Sequence, residues 1–167
     1  MCMSKPEVAL LISSYQRPNH LARCLLSVAH QECDHHQLEI VVTDDGSRDE
    51  TSDVVRKFAS SADFPVRFTT HRHGQFHLSR CRNEGVRASS APYLIFLDGD
   101  LLIPPDFVQL HLSHRRSHTM QVGDSCWFDR ETSERIVPAN IRSGAFEDLI
   151  PSSEKQRLRG KAFRGLI

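Results

Sequence analysis

Three short apolar runs, each closed by a polar or acidic cluster, restrict this chain most. Val8-Ala-Leu-Leu-Ile12 stops at Ser13-Ser14-Tyr15, with Arg17 close by. Glu39-Ile-Val-Val-Thr43 stops at Asp44-Asp45-Gly46-Ser47. Tyr93-Leu-Ile-Phe-Leu97 stops at Asp98-Gly99-Asp100. Apolar runs of this length read as strands buried on both faces, as in a parallel sheet. A further run, Phe64 to Thr69, is less regular, and Pro65 places it near an edge.

The segments between the runs carry helical spacing. Asn19 is a candidate cap for a helix over about His20 to His30, with Leu21, Cys24, Leu25 and Val28 on one face. Asp49 opens a second helix whose apolar stripe is Val54, Val55 and Phe58. His71 to Leu78 reads as loop, and Ser79 to Ala88 as helix with Leu78, Cys81, Val86 and Ala88 inward. Pro104-Pro105-Asp106 starts a helix carrying Phe107, Leu110 and His114. Strands and helices alternating at about 30 residues per unit predict βαβ units with right-handed crossovers. The expected fold class is α/β, a Rossmann-like, mainly parallel central sheet with helices on both faces. Gln121 to Phe128 reads as one more strand. Glu131 to Ile167 is polar and poorly periodic, with no evident core.

Composition narrows the function. The chain has 167 residues, 39% hydrophobic and 25% charged, with 21 basic against 21 acidic side chains. Zero formal charge argues against a nucleic-acid binder, whose domain is usually basic. No apolar run reaches the 18 residues of a membrane span, and Val8 to Ile12 is too short for a secretory leader. The five cysteines, Cys2, Cys24, Cys33, Cys81 and Cys126, form no CxxC pair. They read as reduced thiols in a cytoplasmic protein rather than as a disulfide framework or a zinc knuckle.

In an open α/β sheet, ligands bind beyond the carboxyl ends of the strands, so the three clusters converge on one edge. A carboxylate ending a buried strand needs compensation. Asp98 and Asp100, flanking a glycine, are placed to share a hard divalent cation, Mg2+ or Mn2+. Such a cation bridges a diphosphate and neutralises a leaving group. A turn with a capping aspartate is the plainer reading of the triplet. Asp44 and Asp45 read either as turn formers or as acceptors for a nucleobase N–H or a ribose hydroxyl. Tyr15 reads as a stacking platform for a base or as an exposed turn aromatic. Arg80 and Arg82, with Asn83, read as phosphate ligands or as a solvated helix face. No GxxxxGK[ST] or GxGxxG cradle is present.

Together, the stretches VALLISSYQRPNHLARCLLSV, EIVVTDDGSRDET, and RCRNEGVRASSAPYLIFLDGD followed by LLIPPDFV resemble the family 2 glycosyltransferases of the GT-A fold. The likeness covers about residues 7 to 110. It implies an inverting transferase that moves a sugar from a UDP-sugar to a saccharide or other acceptor hydroxyl. By this resemblance Ser13, Tyr15 and Arg17 line the nucleotide pocket. Asp44 or Asp45 contacts the uracil, and Arg80 and Asn83 lie near the diphosphate or sugar. Asp98 faces the ribose and sugar, and Asp100 binds Mn2+ or Mg2+.

Departures accompany the resemblance. Inverting members need a carboxylate base downstream of the metal motif. Glu147-Asp148 is the adjacent acidic pair after Asp100, which makes Asp148 the candidate, but the Trp-Gly-rich lead-in is missing. The chain is also short for the family. It divides into a nucleotide-sugar-binding core over 1–118 and an incomplete acceptor-side region with a basic tail over 119–167. The tail, with Lys155, Arg157, Arg159, Lys161 and Arg164, suits peripheral contact with an anionic membrane or plain solvation. The alternative function is a nucleotide-sugar-binding module without turnover. A third reading starts from the ten histidines. His71, His73 and His77 share a loop, and His111, His114 and His118 would share a helix face at metal-binding spacing. A solvated helix is the preferred reading of the latter.

Overall fold

The computed structural model describes residues 5–74 and 77–162, with backbone alone for 158–162. Four strands form one all-parallel sheet: β1 (Val8–Ser14), β2 (Leu38–Asp44), β3 (Val66–Thr70) and β4 (Tyr93–Asp98), in the order β3-β2-β1-β4. The connecting helices are α1 (Pro18–Val28), α2 (Thr51–Ala59) and α3 (Leu78–Ala88), and α4 (Phe107–His114) follows β4. The α/β expectation holds, and β3 lies at an edge.

One face of the sheet carries most of the core. Val8, Leu10 and Ile12 of β1 and Leu38, Ile40 and Val42 of β2 pack with Leu21, Cys24, Leu25 and Val28 of α1, Val55 of α2 and Val108 of α4. The other face holds Ala9, Leu11 and Val41 under α3. There Gly85 allows close approach: a Cβ at that position would meet Thr43 Cγ2 at 3.2 Å and Leu11 Cβ at 3.6 Å. Glu39 is also fully buried in β2. Its carboxylate accepts from Ser89 Oγ at 2.6 Å, Ser90 N at 2.6 Å and Ala91 N at 3.0 Å. Burial pushes the Glu39 carboxyl up, but these donors, with Arg67 beside it, outweigh burial and hold it below the ordinary glutamate range.

Several local expectations are corrected. The first helix starts at Pro18 and ends at Val28, with Arg17 rather than Asn19 at the cap position and no side-chain cap. Proline at the first helical turn sets φ for the helix, so no cap is required. Val86 is 42% exposed, because α3 turns Cys81 and Gly85 to the sheet instead. Leu110 is 48% exposed, and Val108 takes the buried position on α4. β4 is fully covered on one face, where Ile95 and Leu97 are buried; on the other, Leu94 packs partly against Ala9, Leu11 and Val41, and Phe96 is 49% exposed. Residues 121–128 form no strand. Val122 and Trp127 there are 81% and 80% exposed, while Phe128 at its end packs against the small core of Ile136, Ile141 and Phe146.

The polar stretch beyond residue 130 folds into short helices. These are α5 (Arg130–Arg135), α6 (Pro138–Ser143), a 3-10 turn over Ala145–Leu149, and α7 (Ser152–Ala162). Ile136, Ile141 and Phe146 form a small core against Leu26 and Leu102. Arg23 of α1 secures it by donating to the carbonyls of Ser133 and Ile136 at 3.0 and 3.2 Å. Gly144 ends α6 in the left-handed region, at φ +76°. Three apolar residues packed on α1 therefore order a segment whose sequence shows no long periodicity.

Candidate functional site

The parallel register brings the strand ends level. Ser13 pairs with Thr43 on one side and Asp98 on the other. The turns after β2 and β4 are then tied back to β1. Asp45 N donates to Ser14 O at 3.0 Å, and Gly99 N donates to Ser13 O at 2.8 Å. A Cβ at residue 99 would lie 2.9 Å from Ser13 O, so only glycine lets this turn press against β1. A cavity of about 310 Å3 opens above these ends, lined in part by Ser13, Tyr15, Arg17, Asp45, Cys81, Asp98 and Asp100.

The two aspartates after β2 take different places. Asp44 is consumed by its own turn, accepting from Gly46 N, Ser47 N and Oγ, and Thr70 Oγ1. Asp45 is also buried, but it lines the cavity. Its Oδ2 accepts from His77 N at 2.8 Å, and its Oδ1 lies 2.9 Å from His71 Nε2. The neighbouring Cys81 thiol is pushed up to about 12, first by burial and then by the charge of Asp45. Gly46, at φ +79°, makes the sharp turn that backs onto His73. The His73 ring stacks on Tyr15 with centroids 6.1 Å apart and an interplanar angle of 11°.

At the other side of the cavity, each carboxylate of the Asp98-Gly99-Asp100 turn meets an arginine. Asp98 Oδ1 is 3.2 Å from Arg82, and Asp100 Oδ2 is 2.8 Å from Arg17. The aspartate side chains are 54% and 38% exposed, so solvent and ligands reach them. Half-exposed hard oxygens beside a cavity fit a Mg2+- or Mn2+-type cation that draws its remaining ligands from phosphate and water.

Other candidates stand elsewhere. Arg80 pairs with Glu84 at 2.8 Å on the outer side of α3, and Asn83 is exposed. Neither lines the cavity. Arg82 is the arginine that reaches the turn. Helical spacing carries the signal for it, since Leu78, Cys81, Arg82 and Gly85 repeat at three and four residues and share a face. Asp148 is exposed on the 3-10 turn, away from the cavity lining. Its neighbour Glu147 is pushed up by burial and by Asp106 and Asp148, with Lys155 opposing. His118 lies outside α4 at φ 57°, so the three-histidine face does not form. His111 packs instead on Phe107 and meets the Tyr93 hydroxyl at 3.1 Å, and burial lowers its pKa. Of the tail, Arg157 is held by Glu154 and Asp124, while the side chains of Arg159, Lys161 and Arg164 lie outside the described residues.

In a parallel α/β sheet the ligand crevice lies beyond the carboxyl ends of the strands, and the paired carboxylates stand there. The chain belongs to glycosyl transferase family 2, whose model matches residues 9–162. It is 28% identical to the uncharacterized glycosyltransferase YfnE of Bacillus subtilis (strain 168), over 93% of this chain and 40% of that protein. It is 36% identical to a validoxylamine A glucosyltransferase of Streptomyces hygroscopicus subsp. limoneus, over 62% of this chain and 22% of that one. The chain thus spans well under half the length of these relatives. Among solved structures it is similar to S. aureus TarS 1-349 in complex with UDP, with a TM-score of 0.60, 20% identity, and 64% of this chain covering 31% of that one. It is also similar to the mannosyltransferase PcManGT from Pyrobaculum calidifontis in complex with GDP-Man and Mn2+, with a TM-score of 0.56, 21% identity, and the same coverage of 64% and 31%. At such identity the structural likeness is one of fold. Among the described residues, no helix is long and apolar enough to cross a membrane.

Proposed function

We propose that this chain is the donor-binding part of a cytoplasmic inverting glycosyltransferase that takes a sugar from a UDP-sugar to an acceptor hydroxyl. The observation that carries this reading is the meeting of three strand ends around one cavity, with Asp45 on one wall and Asp98 and Asp100 on the other. Asp45 is assigned the contact to the nucleobase N–H because it lines the cavity, whereas Asp44 is turned into its own loop. Tyr15 stacks on the base from the His73 side. Arg17 and Arg82, now paired with the turn carboxylates, are in reach to turn to the diphosphate. Ser13 lines the same wall, whereas Arg80 and Asn83 are assigned no contact here.

Asp98 and Asp100 would hold Mn2+ or Mg2+, which supplies charge neutralisation on the departing diphosphate. Residues 1–118 form the donor core, and 119–167 begin the acceptor side. The small core around Ile141 supports that division as a separate patch on α1.

Calorimetric titration of UDP with Mn2+ tests the reading. Metal-dependent binding is expected, with at least a tenfold loss in Asp100→Ala (about 1.4 kcal/mol). Absence of UDP binding by the folded chain overturns it. A second reading, nucleotide-sugar binding without turnover, is favoured by the position of Asp148 away from the cavity. UDP binding with no transfer to any acceptor, and no change in Asp148→Asn, is its expected signature.

A further inference from the structure

Three side chains from three elements meet beside the cavity, two of them lining it. Asp45 follows β2, His71 follows β3, and Cys81 lies in the first turn of α3. One ligand atom from each lies within 4.8 Å of the other two. The Cys81 Sγ is 3.8 Å from His71 Nε2, and Asp45 Oδ1 is 2.9 Å from the same nitrogen. The His71 and Asp45 side chains are 5% and 4% exposed, and Cys81 is 1% exposed.

The other ring nitrogen of His71 decides what this cluster needs. Nδ1 lies 3.0 Å from the carbonyl oxygen of Arg72. A carbonyl only accepts, so Nδ1 carries a proton, and the neutral ring turns an unprotonated Nε2 toward Asp45. Two acceptor atoms then face one another at 2.9 Å. Asp45 Oδ1 is fully buried and makes no aligned hydrogen bond. A proton or a cation belongs in this cluster: the Cys81 thiol proton, a second proton on His71, or a metal ion that displaces both. The backbone carbonyl behind the imidazole is the outer-shell support that metal-bound histidines usually have. Around a tetrahedral zinc, with Zn–S about 2.3 Å and Zn–N or Zn–O about 2.0–2.2 Å, neighbouring ligand atoms stand roughly 3.3–3.7 Å apart. The S–N separation lies just above this range, and the O–N separation has to open by a few tenths of an ångström.

We propose that Asp45, His71 and Cys81 form a site for a thiophilic divalent cation of the Zn2+ type, distinct from the hard-metal carboxylates Asp98 and Asp100. Thiolate, imidazole and carboxylate together select zinc or cobalt over Mg2+ and Mn2+. Asp45 and Cys81 both line the cavity, so the fourth position opens toward it. With Oδ2 held by His77 N and Oδ1 on the metal, both oxygens of Asp45 are engaged, and the charge of the cation weakens them as acceptors for a nucleobase N–H. Occupation of this site therefore competes with UDP, a consequence that rests on the donor reading, whereas the site does not.

Cobalt titration of the full chain tests this. One equivalent of Co2+ is expected to give a thiolate-to-cobalt charge-transfer band with tetrahedral d–d absorption. The band is lost in Cys81→Ser, weakened at least about tenfold in apparent affinity in His71→Gln, and retained in Cys126→Ser and Asp100→Ala. Absence of a thiolate band in the folded wild-type protein, or a band that survives in both Cys81→Ser and His71→Gln, overturns the site. If UDP binds, Zn2+ should weaken it in wild type and not in His71→Gln. If UDP does not bind while the cobalt band appears, the donor reading fails and the metal site stands.

Discussion

Among the described residues, one face of the sheet lies under α1, α2 and α4, and the other under α3 alone. On the first, Leu10, Ile12, Ile40 and Leu25 are all at most 1% exposed and interlock across the layer. On the second, small residues, a close glycine and a buried carboxylate do the work of a thick apolar layer. Phe96 and Val86 remain 49% and 42% exposed on elements of that side. The register makes the contrast plain, since Leu11 is level with Phe96, yet one is 1% exposed and the other is not covered. A strand that is apolar over most of its length can thus be fully covered on one face and only partly on the other. The neighbouring elements decide which.

The largest expected effect separates the faces through two adjacent leucines. Leu10→Ala removes a side chain from the three-helix layer and should cost about 4 kcal/mol, read as a fall in urea midpoint. Leu11→Ala should cost less, about 2–3 kcal/mol, because a single helix can settle into the space. Equal losses would show that the thin layer is packed as tightly as the thick one.

Glu39 gives the next effect. Glu39→Gln should cost about 2 kcal/mol at neutral pH, since charge-assisted bonds from Ser89, Ser90 and Ala91 are weakened. The folded carboxyl is held below its ordinary range, so its contribution is complete above that range. It fades as pH falls through the ordinary range to the folded value. Urea titrations of both proteins should therefore converge in acid. A gap that stays constant with pH would mean that shape, not charge, holds the turn.

The smallest effect is expected at the uncovered ring. Phe96→Ser should change stability by no more than about 0.5 kcal/mol and raise solubility. A larger loss would mean that the ring is buried by a contact outside the described residues.

Much of this was legible from residue order. The runs ending at Ser13, Asp44 and Asp98 locate three of the four strands, because consecutive apolar residues closed by turn formers leave few alternatives. The α1 stripe Leu21, Cys24, Leu25 and Val28 is buried as its spacing dictates. Most of the facing of α3 was legible from its spacing, since Cys81 is buried and Ala88 packs on the sheet, but Val86 is exposed and Gly85 takes the close position instead. Glu39 reads as a strand opener, and its three donors lie some fifty residues on. The Asp45, His71 and Cys81 grouping joins three separate elements and has no local spacing to betray it. Residues 121–128 have strand composition but join neither edge of the sheet, and pairing is a property of neighbours rather than of the segment alone.

The central position of β1 also has a bearing on how the chain is made. Its second edge is satisfied only by β4, from Val8 against Tyr93 to Ser13 against Asp98. At the roughly 5–20 residues per second of protein synthesis, the stretch from Asp44 to Asp98 takes about 3 to 11 s to emerge. Throughout that interval the first strand made presents an open apolar edge, ready to pair with another nascent chain. Slower translation lengthens that exposure, so the yield of folded protein depends on ribosome speed between the second strand and the last.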